Sequence, residues 1–389
     1  MKKQLILQHV WSVLLLLTFT FILSCDPESS ETPPTTTGEI TPVVIDEGLN
    51  RPWGMAFLEN NTFIVTERNG GIKYHDGRNI QDITHSFNVQ QSGQGGFLDI
   101  QVSPNYETDG YIYMTYSKRI SSNTSTLALV RFKLNNLQVT DEEELFEAQP
   151  YLGGDLHYGS RMTFDQSGHV YVTTGDRYTY STASAIADVN QAYPQTLNNH
   201  WGKVIRLNLD GSIPLDNPFH TVFAALPEVY TYGHRNPQGI TYNPNTNQVL
   251  VCEHGAQGGD EINLIESGKN YGWPAITYGK DYNNNSIGNG TTQSGMEQPL
   301  IYWDPSVAPS SLLFYKGNRY PDWEGAYFMT NLAAEKFIRL SLANTTMTAE
   351  EDLYDGAFGR IRYITESPDG LLYFLTDSPN GRVMQLEIQ

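Results

Sequence analysis

The stretch Arg161-Met162-Thr163-Phe164-Asp165-Gln166-Ser167-Gly168-His169-Val170-Tyr171-Val172-Thr173 decides the fold. A short strand runs into a polar turn closed by glycine, and a second strand of alternating β-branched and aromatic residues follows, which reads as an antiparallel hairpin. The same strand–turn–strand unit recurs on both sides. Before it stand Trp53–Phe57 with Phe63–Glu67, and Leu98–Ile100 with Tyr111–Thr115. After it come Gly239–Tyr242 with Val249–Cys252, Leu312–Tyr315 with Tyr327–Thr330, and Tyr363–Thr365 with Leu372–Thr376. Six such units in one chain are the mark of a repeat architecture. Antiparallel blades set radially bury their faces on one another and leave only short edges. The expectation is an all-β, six-bladed β-propeller with functional loops inserted on one face. The uneven spacing fits such insertions, and the alternatives are one large β-sandwich or two sandwiches. Apolar spacing of three and four is rare outside the N-terminus, so long helices are not expected.

Composition agrees. The chain has 389 residues, 34 of them glycine, with 12% aromatic and only 17% charged side chains, which suits a turn-rich β protein. With 24 basic and 43 acidic residues the net charge is −19, and no nucleic-acid partner is expected because that needs a positive footprint.

The N-terminus carries a targeting signal. Met1-Lys2-Lys3 precedes an apolar run from Trp11 to Leu23, too short and wrongly flanked for a membrane span. Cys25 behind Ser24 has the form of a bacterial lipoprotein signal, so residues 1–25 are expected to be a lipoprotein signal peptide; the alternative is an ordinary signal peptide with an incidental cysteine. Residues 26–42, rich in Ser, Thr and Pro, follow as a flexible tether, and 43–389 form the propeller. The expected location is outside the cytoplasm, anchored by lipid on the periplasmic face or at the outer membrane. Cys252, the other cysteine, lies in a Val-Leu-Val-Cys strand and reads as a small buried side chain rather than a catalytic thiol.

Loops on a rigid scaffold carry function. Four insertions attract attention: Gln94 in Ser92–Gly96, His157 in His157–Arg161, the long segment Glu228–Asp281, and Arg360-Ile361-Arg362. His157 is suited to proton transfer near neutral pH if a carboxylate orients it, and Asp176 is the candidate; the alternative is a loop histidine held by hydrogen bonds. In the long segment, Arg235 and Asn236 stand beside Pro237, and the run Glu253–Glu261 combines glycines with carboxylates. Glycines let backbone carbonyls turn toward a ligand, and carboxylates suit a hard cation such as calcium. An anionic cofactor bridged by a metal is one reading of this arrangement; a surface loop with a solvated arginine is the other. Arg360 and Arg362 alternate along a strand and so share a side, as an anion clamp or as rim salt bridges.

The motifs together resemble the PQQ-dependent soluble glucose, aldose sugar and sorbosone dehydrogenases. The resemblance rests on Gly93–Asp99, His157–Arg161, Gly202–Pro214, Gly233–Gly239, Asp260–Ile265, Asn270–Pro274, Val307–Ser311 and Arg360–Arg362, in family order from Leu49 onward. It implies a six-bladed propeller that oxidises the anomeric carbon of an aldose, with PQQ and Ca2+ as cofactors and an external electron acceptor. By that resemblance His157 is the general base, Asp176 orients it, and Arg235 stabilises charge on the quinone. Asn236, Arg360 and Arg362 hold the cofactor, Gln94 touches substrate or cofactor, and the carbonyls of Gly255 and Ala256 hold calcium. A second calcium is expected around Glu261, the Tyr271 carbonyl and Asp281. The chain departs from the glucose enzymes at Leu156 and Asp304, so a broader aldose substrate is expected. It also has Ala333 where the family has a cofactor-binding lysine, with Lys336 close by as a replacement. The competing functions are a calcium-dependent, lactonase-like hydrolase and a non-catalytic propeller that binds a glycan or a protein.

Overall fold

The computed structural model describes residues 38–59, 62–180 and 188–389. The signal peptide with Cys25, most of the tether and the turn residues Asn60 and Asn61 lie outside the described residues.

Strand β1 (Ile40–Leu49) comes first. Blade 1 is β2 (Pro52–Phe57), β3 (Phe63–Glu67), β4 (Gly71–His75) and β5 (Ile80–Asp82). Blade 2 is β6 (Phe97–Val102), β7 (Ile112–Arg119), β8 (Ser125–Asn135) and β9 (Gln138–Glu147), with one helical turn, α1 (Tyr106–Asp109). Blade 3 is β10 (Gly159–Phe164), β11 (His169–Thr174), β12 (Lys203–Asn208) and β13 (Val229–Tyr232). Blade 4 is β14 (Pro237–Asn243), β15 (Gln248–Glu253), β16 (Asp260–Ile265) and β17 (Ile301–Trp303). Blade 5 is β18 (Pro309–Phe314), β19 (Tyr327–Asn331), β20 (Phe337–Ala343) and β21 (Thr346–Leu353). Blade 6 is β22 (Ile361–Glu366), β23 (Leu372–Thr376) and β24 (Gly381–Ile388), and β1 is its fourth strand.

The chain is therefore a six-bladed β-propeller, as the repeats predict, and each repeat is the inner hairpin of a blade. Closure comes from β1, which pairs antiparallel with β24 from Ile40↔Ile388 to Leu49↔Gly381 and leaves no gap in the ring. An apolar cluster fills each seam between neighbouring blades, such as Ile64, Ile72, Phe97, Ile100 and Ile112 between blades 1 and 2. Cys252 belongs to one of them, fully buried, and burial pushes its thiol far up.

The blades also meet at one guanidinium. Arg161 Nη1 donates to the Asp99 carboxylate at 2.9 Å and to the Trp53 carbonyl at 3.2 Å. Its Nε donates to Gln238 O at 3.0 Å, and its Nη2 to Ser310 O at 3.1 Å and Arg362 O at 2.9 Å. With Arg161 on blade 3, these partners take in every other blade. The group lies 3.7 Å from the centre of the Trp53 ring and 4.4 Å from that of Tyr363, so it is a buried, fully engaged spindle. On the side where the inner strands end, the channel opens into a cavity of about 780 Å³ lined by Phe57, Phe164, Tyr242, Phe314 and Glu366. The residues singled out by the sequence lie on the opposite side, where the inner strands begin.

Candidate active site

That mouth is shaped by a recurring irregularity. The inner hairpin of every blade slips register at the start of its first strand, at Pro52/Gly54, Phe97/Ile100, Gly159/Met162, Pro237/Gly239, Pro309/Ser311 and Ile361/Tyr363. Bulges of this kind re-aim side chains and are common beside active sites.

His157 precedes β10 with a left-handed backbone, φ 48°, a conformation costly for a non-glycine residue and kept only where the surroundings impose it. They do so here. Arg177 N donates to His157 O at 3.2 Å, and the Arg177 side chain ties down Gly154 O and Leu156 O at 2.6 and 3.0 Å. Gly175 must be glycine, because a Cβ there would lie 2.2 Å from His157 O. Gln94 reaches the same group: its Oε1 accepts from His157 N at 2.9 Å, so it fixes the histidine's backbone.

The imidazole Nδ1 lies 2.6 Å from Asp176 Oδ1. Asp176 is fully buried and also accepts from Tyr178 N and from Trp273 Nε1, each at 2.8 Å. Burial alone would push its carboxyl up, but His157, Arg235 and the Tyr178 N–H hold it below the usual carboxylate range. An ionised carboxylate only accepts, so the proton of a neutral His157 sits on Nδ1 and leaves Nε2 as a free base. Burial also lowers the imidazole below its ordinary value; Asp176 opposes this and Arg235 adds to it. His157 is therefore neutral at pH 7, and its Nε2 makes no hydrogen bond to any described residue.

Arg235 is fixed from several sides. Its N–H donates to Glu253 Oε2 at 2.7 Å, and its Nη1 bonds the carbonyls of Gly255 and His254. Its guanidinium lies 5.2 Å from the centre of the Trp273 ring, and Tyr282, a largely exposed ring at the rim, approaches Nη2 at 3.4 Å. Asn236 Oδ1 accepts from Gly159 N at 3.3 Å. Arg362 Nη2 donates to Asp377 Oδ2 at 2.6 Å and its Nη1 to Gln238 Oε1 at 2.8 Å, while Arg360 lies 3.7 Å from the same Asp377 oxygen. Burial would raise the Asp377 carboxyl, but Arg362 and its neighbours hold it at about 2.

Polar atoms without partners mark what the cup can hold. Arg235 Nε, Arg362 Nε, Arg68 Nε, Asn236 Nδ2 and His254 Nε2 are all buried and have no hydrogen-bond partner among the described residues. Burial pushes His254 well down, and the charges of Arg235 and Arg362 add to this, so it too is neutral. Buried donors are normally satisfied, and four of these atoms belong to donor-only groups. Such a set suits a ligand rich in carboxylate and carbonyl oxygens.

Other expectations fare differently. Lys336 does not join the group: it forms an ion pair with Asp352 at 2.5 Å on the outer strand β21. The Gly255 carbonyl accepts from Arg235, which a cation on the Gly255 and Ala256 carbonyls would have to displace. Glu261 lies beside Glu253 and Asn263, and burial together with the Glu253 charge pushes its carboxyl up to about 8. A cation would relieve that strain. Tyr271 stacks on His234, whose ring bonds Glu253 at 2.8 Å, whereas Asp281 lies near Tyr180. Among the described residues no three acidic, His or Cys side chains converge on one point, so an ion here would draw on carbonyls and water. No sequence motif marks Asp377, His254 or Tyr178 for a task of its own, and Trp273 is only part of one; an unpaired aromatic or acid in a loop carries no spacing signal. Glu253, expected only as one of a run of carboxylates, holds His234 and the Arg235 N–H.

A profile of the Glucose / Sorbosone dehydrogenase family matches residues 49–385. Aldose sugar dehydrogenase YliI of Escherichia coli is 33% identical over 350 residues, spanning 88% of this chain and 91% of that protein. Quinoprotein glucose dehydrogenase B of Acinetobacter calcoaceticus is 28% identical, spanning 86% and 85%. Among solved structures, the apo-form soluble aldose sugar dehydrogenase of E. coli superposes with a TM-score of 0.83 at 32% identity, covering 90% of this chain and all (100%) of that one. The PQQ-bound aldose sugar dehydrogenase of Streptomyces coelicolor gives 0.71 at 25%, covering 91% and 100%. The chain belongs to the glucose/sorbosone dehydrogenase family, oxidoreductases that act on sugars.

Proposed function

We propose that this protein oxidises the anomeric carbon of an aldose to the lactone, using PQQ and calcium, and passes the electrons to an external acceptor. The observation that carries this reading is the cup itself: a neutral imidazole with a free Nε2 stands at the same mouth as Arg235, Asn236, Arg360 and Arg362, several with unbonded buried donors. When bound, the quinone supplies a two-electron acceptor for the hydride of the anomeric carbon, with calcium as its Lewis acid.

The chain's own residues do the rest. His157 Nε2 takes the proton of the anomeric hydroxyl, and Asp176 stabilises the imidazolium that results. Arg235, anchored through its N–H on Glu253 and set against the Trp273 ring, is a preorganised cation for negative charge that develops beside it. Asn236, Arg360 and Arg362 bind and orient the anionic cofactor through charge-assisted hydrogen bonds. The Gly255 and Ala256 carbonyls would hold the calcium once Arg235 gives up its bond to Gly255 O, and Glu261, the Tyr271 carbonyl and Asp281 would hold a second ion. Leu156 and Asp304 favour a broader aldose range than glucose alone. Met1–Lys3, the apolar run and Cys25 support an exported, lipid-anchored location; among the described residues no helix is long and apolar enough to cross a membrane.

The test adds PQQ and calcium to the purified domain and follows dye reduction with a panel of aldoses, alongside hydrolysis of sugar lactones. Reduction with at least one aldose is expected. Lactone hydrolysis without any reduction would replace this reading with a hydrolase.

A further inference from the structure

Blade 1 contributes two arginines to the mouth that the family motifs did not point to. Arg51 stands directly before β2, as Arg360 stands before β22, and its Nη1 lies 3.5 Å from Asp377 Oδ1. Arg68 occupies the turn between β3 and β4. Its position is built: its N–H donates to Arg51 O at 3.1 Å, and Gly96 of the neighbouring blade abuts its carbonyl so closely that a Cβ there would lie 1.6 Å from Arg68 O. The Arg68 Nε is buried and has no partner among the described residues.

Charge does not balance around this turn. Arg51, Arg68, Arg360 and Arg362 surround Asp377, which Arg362 already holds at 2.6 Å. Glu335 acts on Arg360 less strongly than Asp377 does, and the nearby Glu67 is engaged by Asn50 N at 2.7 Å and by Lys73 at 3.7 Å. Burial lowers Arg68, and the guanidiniums of Arg362, Arg51 and Arg360 lower it further against the pull of Asp377, as expected in a site short of negative charge. A protein with net charge −19 that concentrates four cations here is equipped to receive an anion.

We infer that Arg68, supported by Arg51, is a ligand-binding residue that takes a carboxylate of the anionic cofactor and so fills the role left open by Ala333. The inference rests on the quinone reading above, and it makes blade 1 part of the cofactor site.

The experiment measures binding without turnover: PQQ is titrated into the apo-domain with calcium present and followed by tryptophan fluorescence. Loss of one charge-assisted hydrogen bond predicts that Arg68→Gln binds about ten- to a hundred-fold more weakly. Arg68→Lys should recover most of the affinity, and the salt dependence of binding should be shallower in Arg68→Gln. Where Arg68→Gln fails to fold, Arg51→Gln at the rim replaces it, with a smaller loss expected. Wild-type affinity in the Gln variant overturns the inference while leaving the quinone reading intact. If the wild type binds no PQQ, the quinone reading fails instead. The same titration with citrate, a redox-inert tricarboxylate, then decides on the anion site: citrate binding that Arg68→Gln weakens upholds it, and equal or absent binding overturns it.

Discussion

Asp176→Asn perturbs the proposed base without changing its size. The carboxylate receives three donors: His157 Nδ1 at 2.6 Å and Tyr178 N at 2.8 Å on Oδ1, and Trp273 Nε1 at 2.8 Å on Oδ2. An amide offers one acceptor oxygen. If that oxygen faces Trp273, the NH2 faces Nδ1, the histidine proton moves to Nε2, and the base is lost. If it faces His157, the NH2 opposes the indole N–H, leaving a buried donor unpaired at a cost of about 1–3 kcal/mol. Either way the imidazolium loses its counter-charge, so kcat should fall by roughly 10²–10⁴, the usual worth of a positioned acid or base. Because Asp176 is the group that raises His157, its removal should move the acid limb of the pH profile further down. The assay is kcat for dye reduction by the PQQ-loaded protein across pH, with a melting curve for each variant. A kcat within about threefold of wild type at every pH, with the acid limb unmoved, would refute the assignment.

Other consequences are as direct. His157 and His254 are both lowered from 6.5 in the folded state, so the unfolded chain binds more protons below that value. Their contribution to stability is complete above pH 6.5 and is lost as pH falls through their folded values; melting temperatures from pH 8 to 5 should decline, and a flat or rising trend would contradict this. Arg161→Met strands Asp99 in the channel and should cost about 3–5 kcal/mol in denaturant unfolding, whereas adding Asp99→Leu should recover part of that loss. Calcium should raise the melting temperature of the wild type, and Glu261→Gln should reduce that shift; equal shifts in both proteins would remove Glu261 from the metal site.

The inner hairpins were legible because their alternation and closing turns repeat in every blade, and they alone implied the ring. The outer strands were not: β9 and β21 are largely exposed and acidic, and they pair through their backbones. Closure by β1 depends on a pairing across the whole chain, which no local pattern encodes. In the site, His157 and Asp176 were legible as an imidazole beside a carboxylate, and Arg360 with Arg362 as neighbours on one side, now converging on Asp377. Lys336 carried the right chemistry, but packing takes it into a surface ion pair, and the brace that Gln94 Oε1 puts on the His157 backbone had no signal in the sequence. Arg68 was invisible because its meaning comes from a turn wedged against Gly96 of the next blade.

The account stands on a neutral imidazole at residue 157 that removes a sugar proton in a cup that holds a quinone. Single-turnover mixing of an aldose with the PQQ-loaded protein, read by the absorbance change of quinone reduction, tests this most directly. Wild type should reduce the quinone, and His157→Gln should bind it equally well yet reduce it about 10²–10⁴ times more slowly. Reduction at the same rate in both proteins, or by no aldose in the wild type, would contradict it.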